Sequence, residues 1–329
     1  MSARTLSLVL LALTFPALSQ DVTTQQEQTS PASSSPAQQS TTEGNKGASA
    51  ATIPAPDLTP DANGKLSQEQ MQQLFRVVAE KYIENDKRRR DYTYIGRDVE
   101  RKLDGKGETK STEVRTYEIL EIYGERVQRL IEKDDKPLDA KEAAKEEEKL
   151  QKIIDKRKDE SEDERRKREE KEKKEHEESR NFVREVADAY NFTLVGTELV
   201  GGREAWVIDG EPRPGYEPHS SDTKFLPKFH GRVWIDKSDL QLARAQVEAI
   251  DTVSVGWVLA RIHKGAHFMM ERTRVNDEVW LPLHVTFRLD MRIALVKGED
   301  LDGELTFRDY KKFRTSAKIV GVGEVKDEK

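Results

Sequence analysis

Two histidines four residues apart, His263 and His267, come nearest to a chemical site in this sequence. On a helix that spacing would set two imidazoles on one face as metal ligands. Lys264 and Gly265 between them read instead as a turn between strands, and no glutamate completes a His-Glu-x-x-His pattern. The pair is expected to be ordinary strand-surface histidine, with no metal bound. His219 and His230 sit in or beside a stiff loop containing Pro212, Pro214 and Pro218, and no partner can be assigned to them. Nucleophilic catalysis has little to work with, since the chain has no cysteine and no Gly-x-Ser-x-Gly elbow. Gly321-Val322-Gly323 is too short for a phosphate-binding loop. With 62 acidic residues, no carboxylate pair stands out. The expectation is a protein that is not an enzyme and has no cofactor.

What does stand out is a supply of large apolar groups: Trp257, Phe268, Met269, Met270, Trp280, Phe287 and Met291. Methionine fills irregular space and adapts to flexible ligands such as acyl chains. Trp257, Phe268, Met270, Phe287, Leu289 and Met291 are therefore candidates for lining a cavity, against the plainer reading that they pack a core.

The elements that would carry them are mostly strands. From Leu283 to Leu295, Val285, Phe287, Leu289, Met291 and Ile293 alternate with His284, Thr286, Arg288, Asp290 and Arg292, so one face is oily and the other wet. That is the pattern of an antiparallel sheet covered on one side. Gly201-Gly202 joins Leu194–Val200 to Glu204–Gly210, and Asp104-Gly105-Lys106-Gly107 joins Tyr92–Leu103 to a strand from about Thr109 to Tyr123. Another short strand carries Val127 and Ile131. Arg232–Asp236 pairs with Leu240–Ile250, and Leu305–Phe307 with Tyr310–Lys318 closes the set. About ten strands result, enough for accumulated twist to curl the sheet. A helix opens at Ser67, where Ser-x-x-Gln makes a capping box ahead of Met71, Leu74, Phe75, Val78 and Tyr82. It ends in the basic run Lys87 to Arg90, which suits the negative end of a helix.

Two parts resist a core reading. Residues 1–19 read as a cleavable export signal: Arg4, the apolar run Leu6 to Leu13, then Ala17-Leu18-Ser19. That run is too short to span a bilayer, so the mature chain is expected to lack a transmembrane segment. Residues 20–63, rich in Gln, Ser, Thr and Pro, cannot repay the entropy of ordering and read as a linker. From Asp139 to Arg180 there are 15 bases and 17 acids, with Leu150, Ile153 and Ile154 the sizeable apolar groups. Glu and Lys three or four apart favour a solvated helical arm whose final turns, with Phe182, Val183, Val186 and Tyr190, pack back. The overall net charge of −6 gives no field for nucleic acid.

The order of these parts resembles the periplasmic lipoprotein carriers of the LolA and LolB type. The resemblance rests on the export signal, the helix, Tyr92-Thr93-Tyr94, the Gly231-Arg232-Val233-Trp234-Ile235-Asp236 strand, and Val279-Trp280-Leu281-Pro282 ahead of the long alternating strand. It implies an α+β fold, an unclosed β-barrel with a helical lid, over residues 64–326 with the charged insertion 136–190. It also implies a periplasmic protein that carries or senses lipid or lipoprotein acyl chains on its concave face. The charged arm is longer than such a lid, and without a cysteine the chain cannot be a lipid-anchored acceptor. The alternative is an envelope scaffold that meets a partner protein through 139–180 and binds no ligand.

Overall fold

The computed structural model describes residues 59, 61, 66–123, 125–219, 223–255, 260–293 and 297–313. The expected export signal, nearly all of the linker, Trp257, Gly321-Val322-Gly323 and the chain after Phe313 lie outside the described residues.

Helix α1 spans Gln68–Arg89. The Ser67 hydroxyl accepts from the Gln70 amide, and the Gln70 side chain accepts from the Ser67 N–H at 2.8 Å, closing the expected capping box. Met71, Leu74, Phe75 and Val78 are buried. Lys87, Arg88 and Arg89 occupy the last turn.

Thirteen antiparallel strands then form one sheet. The first four are β1 (Tyr92–Leu103), β2 (Thr109–Ile122), β3 (Glu125–Lys133) and β4 (Lys136–Pro137). Two helices follow, α2 (Ala140–Lys158) and α3 (Glu162–Ala189), before β5 (Tyr190–Val200) and β6 (Arg203–Pro212). A short 3-10 turn at Leu226–Lys228 leads into β7 (Phe229–Asp236), β8 (Leu242–Ala249), β9 (Val253–Val255), β10 (Ala260–Ile262), β11 (His267–Val275), β12 (Val279–Ile293) and β13 (Lys297–Lys312). Across the sheet the order is β4-β3-β2-β1-β13-β12-β11-β8-β7-β6-β5, with β10 beside the far end of β12 and β9 outside β10. The rims β4 and β5 do not pair with each other, so the barrel is unclosed and the fold class is α+β.

Several turns use residues other than glycine. Gly201 and Gly202 have φ of 57° and 80°, as a tight hairpin needs. The β3–β4 turn instead uses Asp134 and Asp135, and the β11–β12 turn Asn276 and Asp277, all at positive φ. Asn and Asp reach this region because their short polar side chains bond locally.

Three expectations need correction. The last strand is one element, Lys297–Lys312, and not two short strands from Leu305. Its first half is polar and contains Gly298 and Gly303, so it lacks apolar alternation, yet it pairs with both β12 and β1 along its length. Asp309, at φ 58°, lies in the bulge where the β1 register shifts. Next, the charged insertion is not a wholly solvated arm, and it consists of two helices. It breaks between Lys158 and Glu162, where Ser161 and Glu164 form a second capping box. Glu160 ties the corner by accepting from Arg157 at 3.0 Å and from Nε and Nη2 of Arg168, each at 3.0 Å. Finally, the sheet is not covered on one side only. Helix α2 packs Leu150, Ile153 and Ile154 against Leu120, Ile122 and Val127, and Leu150 is buried. Burying a side chain of that size stabilises by about 1.5–3 kcal/mol.

Candidate functional site

Strand register assigns side chains to the two faces. Phe268 stands opposite Phe287, Phe287 opposite Gly303, and Gly303 opposite Glu100. These groups share what is here called the front face, with Tyr94 and Gly96 on the same strand as Glu100. Leu120, Ile122 and Val127, which meet α2, lie on the back.

Helix α1 crosses the front face near one end of the strands. Phe75 meets Phe192 of β5 at a ring separation of 4.4 Å. The Lys81 carbonyl accepts from Gln241, and Tyr82 lies under the guanidinium of Arg272 at 5.6 Å. Asn85 clamps the backbone of Trp280, donating to its carbonyl at 2.8 Å and accepting from its N–H at 2.7 Å. At the C-terminal end Arg89 pairs with Asp86 and feels Tyr94 and Glu121. Arg272 is buried and donates to the Trp280 carbonyl at 2.8 Å, with longer contacts to Gln241 and the Leu242 carbonyl at 3.4 Å. Burial pulls its pKa down to about 10. Burial likewise lowers Arg126 and raises Glu121, the latter against the pull of Arg126, Arg90 and Arg89. Sequence alternation gave no sign of this ionic layer, because a lone Arg in a strand looks the same whether it faces water or a helix.

The sequence-predicted lining residues fall beyond this crossing. The hydrogen bonds of α1 to β12 and its turn are at Glu278 and Trp280. Phe287, Leu289 and Met291 are seven to eleven residues further on, roughly 20–35 Å along the strand. There Phe268 pairs with Phe287, Met270 with Val285, Leu289 with Leu301, and Met291 with Ile262. The structure thus brings Phe268, Met270, Phe287, Leu289 and Met291 into one cross-strand strip, while Trp257 lies outside the described residues. Phe268, Phe287, Leu289 and Met291 are buried, and Met270 is half-buried. The Phe287 ring lies directly across Gly303, where an added Cβ would come within 2.0 Å of it. Glycine is required at that point, which explains a residue that otherwise spoiled the strand pattern.

A polar margin borders the strip on β1 and β2. Asp98 stands opposite Leu305 on one side and Arg115 on the other, and Glu100 opposite Gly303 and Glu113. Asp98 is half-buried. Burial first, then Glu100 and Glu113, push its pKa up to about 6 against the pull of Arg115. Arg115 is committed to Glu113. This acidic margin was missed because the apolar residues of β1, Ile95 and Val99, project to the opposite face.

On the back, His263 Nδ1 lies 3.0 Å from Asp290, which faces Asp300 across β12 and β13. Gly265, at φ 90°, makes the expected turn between His263 and His267. Among the described residues no group of three or more His, Cys, Asp or Glu is placed to hold a metal ion. No helix among them is long and apolar enough to cross a membrane.

No family model matches the sequence, and neither does any curated protein sequence. Among solved structures, the chain is similar to a putative outer membrane lipoprotein-sorting protein domain from Vibrio parahaemolyticus, at 12% identity and a TM-score of 0.31, covering 74% of this chain and 95% of that one. It is similar to a LolA superfamily protein from Nitrosomonas europaea at 8% identity and a TM-score of 0.26, covering 76% and 94%. MucB in the Pseudomonas aeruginosa MucA/MucB complex follows at 10% identity and a TM-score of 0.20, covering 72% and 98%. By its own topology the chain is an open, thirteen-stranded antiparallel sheet crossed by helices, with a low-scoring likeness in chain path to LolA-type lipoprotein-sorting domains.

Proposed function

We propose that this is a non-enzymatic periplasmic protein, exported by its N-terminal signal, that holds lipid or lipoprotein acyl chains against the front face of its sheet. The observation that carries the reading is the apolar strip of Phe268, Met270, Phe287, Leu289 and Met291, in cross-strand register beyond the crossing of α1. Transfer of an acyl chain from water to such a surface is favourable by about 0.8 kcal/mol per methylene. Because four of the five side chains are already buried, uptake requires their cover to move aside. The rival reading, a ligand-free envelope scaffold using the charged insertion as a free arm, is weakened by the docking of Leu150, Ile153 and Ile154 on the sheet.

The test uses the mature chain purified from cells. Solvent extraction and mass spectrometry should recover lipid, and a fluorescent fatty acid should bind saturably. Met270→Glu places a charge on the strip at a half-buried position and should cut that binding about tenfold or more with circular dichroism unchanged. Repeated absence of lipid, with no fatty-acid binding by the unaltered chain, overturns the reading.

A further inference from the structure

Away from the strip, a cleft of about 300 Å³ lies between α1 and α3, lined by Gln72, Arg76, Arg184, Ala187 and Asp188. Gln72 and Arg76 are one turn apart on α1, and Arg184 and Asp188 one turn apart on α3, so each helix contributes an arginine to the same opening. Ala187 is small and buried and forms part of its floor.

The two arginines of this cleft lack the carboxylate partner that several other arginines of the protein have. Arg88, Arg97, Arg203 and Arg232 each lie within 2.8 Å of a carboxylate. Arg76 has no hydrogen-bond or ion-pair partner among the described residues. Arg184 reaches only the side-chain amide oxygen of Asn181, at 3.3 Å. The cleft's own carboxylate, Asp188, already accepts from Gln72 Nε2 at 3.0 Å. Of the nearby acids on α1 and α3, Glu185 is held by Tyr216, the His219 N–H and Thr223, and Glu80 has an interaction of its own. Two guanidinium groups therefore face one satisfied carboxylate, leaving a net positive opening with unused donors.

A guanidinium presents a planar fork of donors that matches two oxygens of a phosphate. The geometry points to an anion site for a phosphate group, supplied either by free phosphate or by a lipid headgroup. At about 300 Å³ the cleft is at the small end of ligand pockets, and its lining of arginine, aspartate and glutamine suits a headgroup and not an acyl chain. The inference does not depend on the strip holding acyl chains.

The experiment titrates the full-length mature chain with inorganic phosphate by calorimetry at low salt. In parallel it measures co-flotation with vesicles of equal parts phosphatidylglycerol and phosphatidylcholine, and with phosphatidylcholine alone. Saturable binding is expected in at least one arm. Arg76→Gln and Arg184→Gln, both at exposed positions, should each weaken it by about tenfold, the loss of one charge-assisted hydrogen-bonding group. Asp188→Asn should tighten it by about threefold, since a like charge near the anion is removed. Flotation with the mixed vesicles that inorganic phosphate competes away identifies the headgroup as the source, and phosphate binding without flotation identifies free phosphate. Absence of saturable binding in both arms overturns the inference, as does binding that both arginine variants retain in full. Fatty-acid binding measured on the same preparations separates the two proposals: its loss defeats the acyl-chain reading and leaves the phosphate result standing.

Discussion

Replacing Asp98 by asparagine removes a carboxyl group that is half-buried at the border of the apolar strip, beside Glu100 and Glu113 and within reach of Arg115. Its pKa rises from the ordinary 3.8 to about 6 on folding. A raised carboxyl pKa means that the folded state binds the proton more tightly than the unfolded chain. The charged form is therefore a cost to stability, present in full above about pH 6 and relieved as pH falls toward the unfolded value. A shift of about two units corresponds to at most about 3 kcal/mol, and screening by solvent at a half-buried position reduces this to about 1–2 kcal/mol. Asp98→Asn should accordingly stabilise the protein by about 1–2 kcal/mol at pH 7.5, or about 2–6 °C in melting temperature for a domain of this size. At pH 4 the variant and the parent should melt together. The assay is thermal unfolding by circular dichroism at half-unit pH steps. A variant that is less stable than the parent at pH 7.5, or a difference that stays constant down to pH 4, would refute the argument that burial and like charges hold this carboxyl against ionisation.

Two further substitutions test the packing. Gly303→Ala forces Phe287 off β13 and should cost about 1–3 kcal/mol in urea unfolding, and much less when combined with Phe287→Ala, since the clash is between those two groups. Asn85→Ala leaves the Trp280 N–H without its amide partner at 2.7 Å and should cost about 1–3 kcal/mol, with faster hydrogen exchange at the β11–β12 turn as the local readout.

The parts legible in the sequence were those with strong local physics. The capping box at Ser67, the Gly201-Gly202 hairpin and the long alternation of β12 all belong to this class, because each is decided by neighbouring residues. The strip candidates other than Trp257 share one face for the same reason: alternation fixes which side chains lie together. Other features depended on contacts remote in sequence. The first half of β13 carries no apolar alternation to mark it as strand, but its Gly303 accommodates a ring sixteen residues away on β12. Asn276 and Asp277 turn the chain as glycines would, though the sequence there lacks glycine. The break at Ser161 did have a local signature, the Ser-x-x-Glu box, obscured by the uniform charge around it. The acidic margin at Asp98 and the buried Arg272 had none, since polarity within a strand does not say which way it points.

The rims of the open sheet are joined by chain as well as separated by space. β4 ends at Pro137, whose nitrogen has no hydrogen to offer another strand, and the chain reaches the opposite rim at Tyr190 only after passing through both insertion helices. One helix is seated on the back of β2 and β3, and the other ends beside α1 and β5. The insertion therefore bridges the two rims, anchored on the back of the sheet by Leu150 and bent at the corner that Glu160 ties. The spacing of the two rims is thus tied to a segment that supplies no strand of the apolar strip.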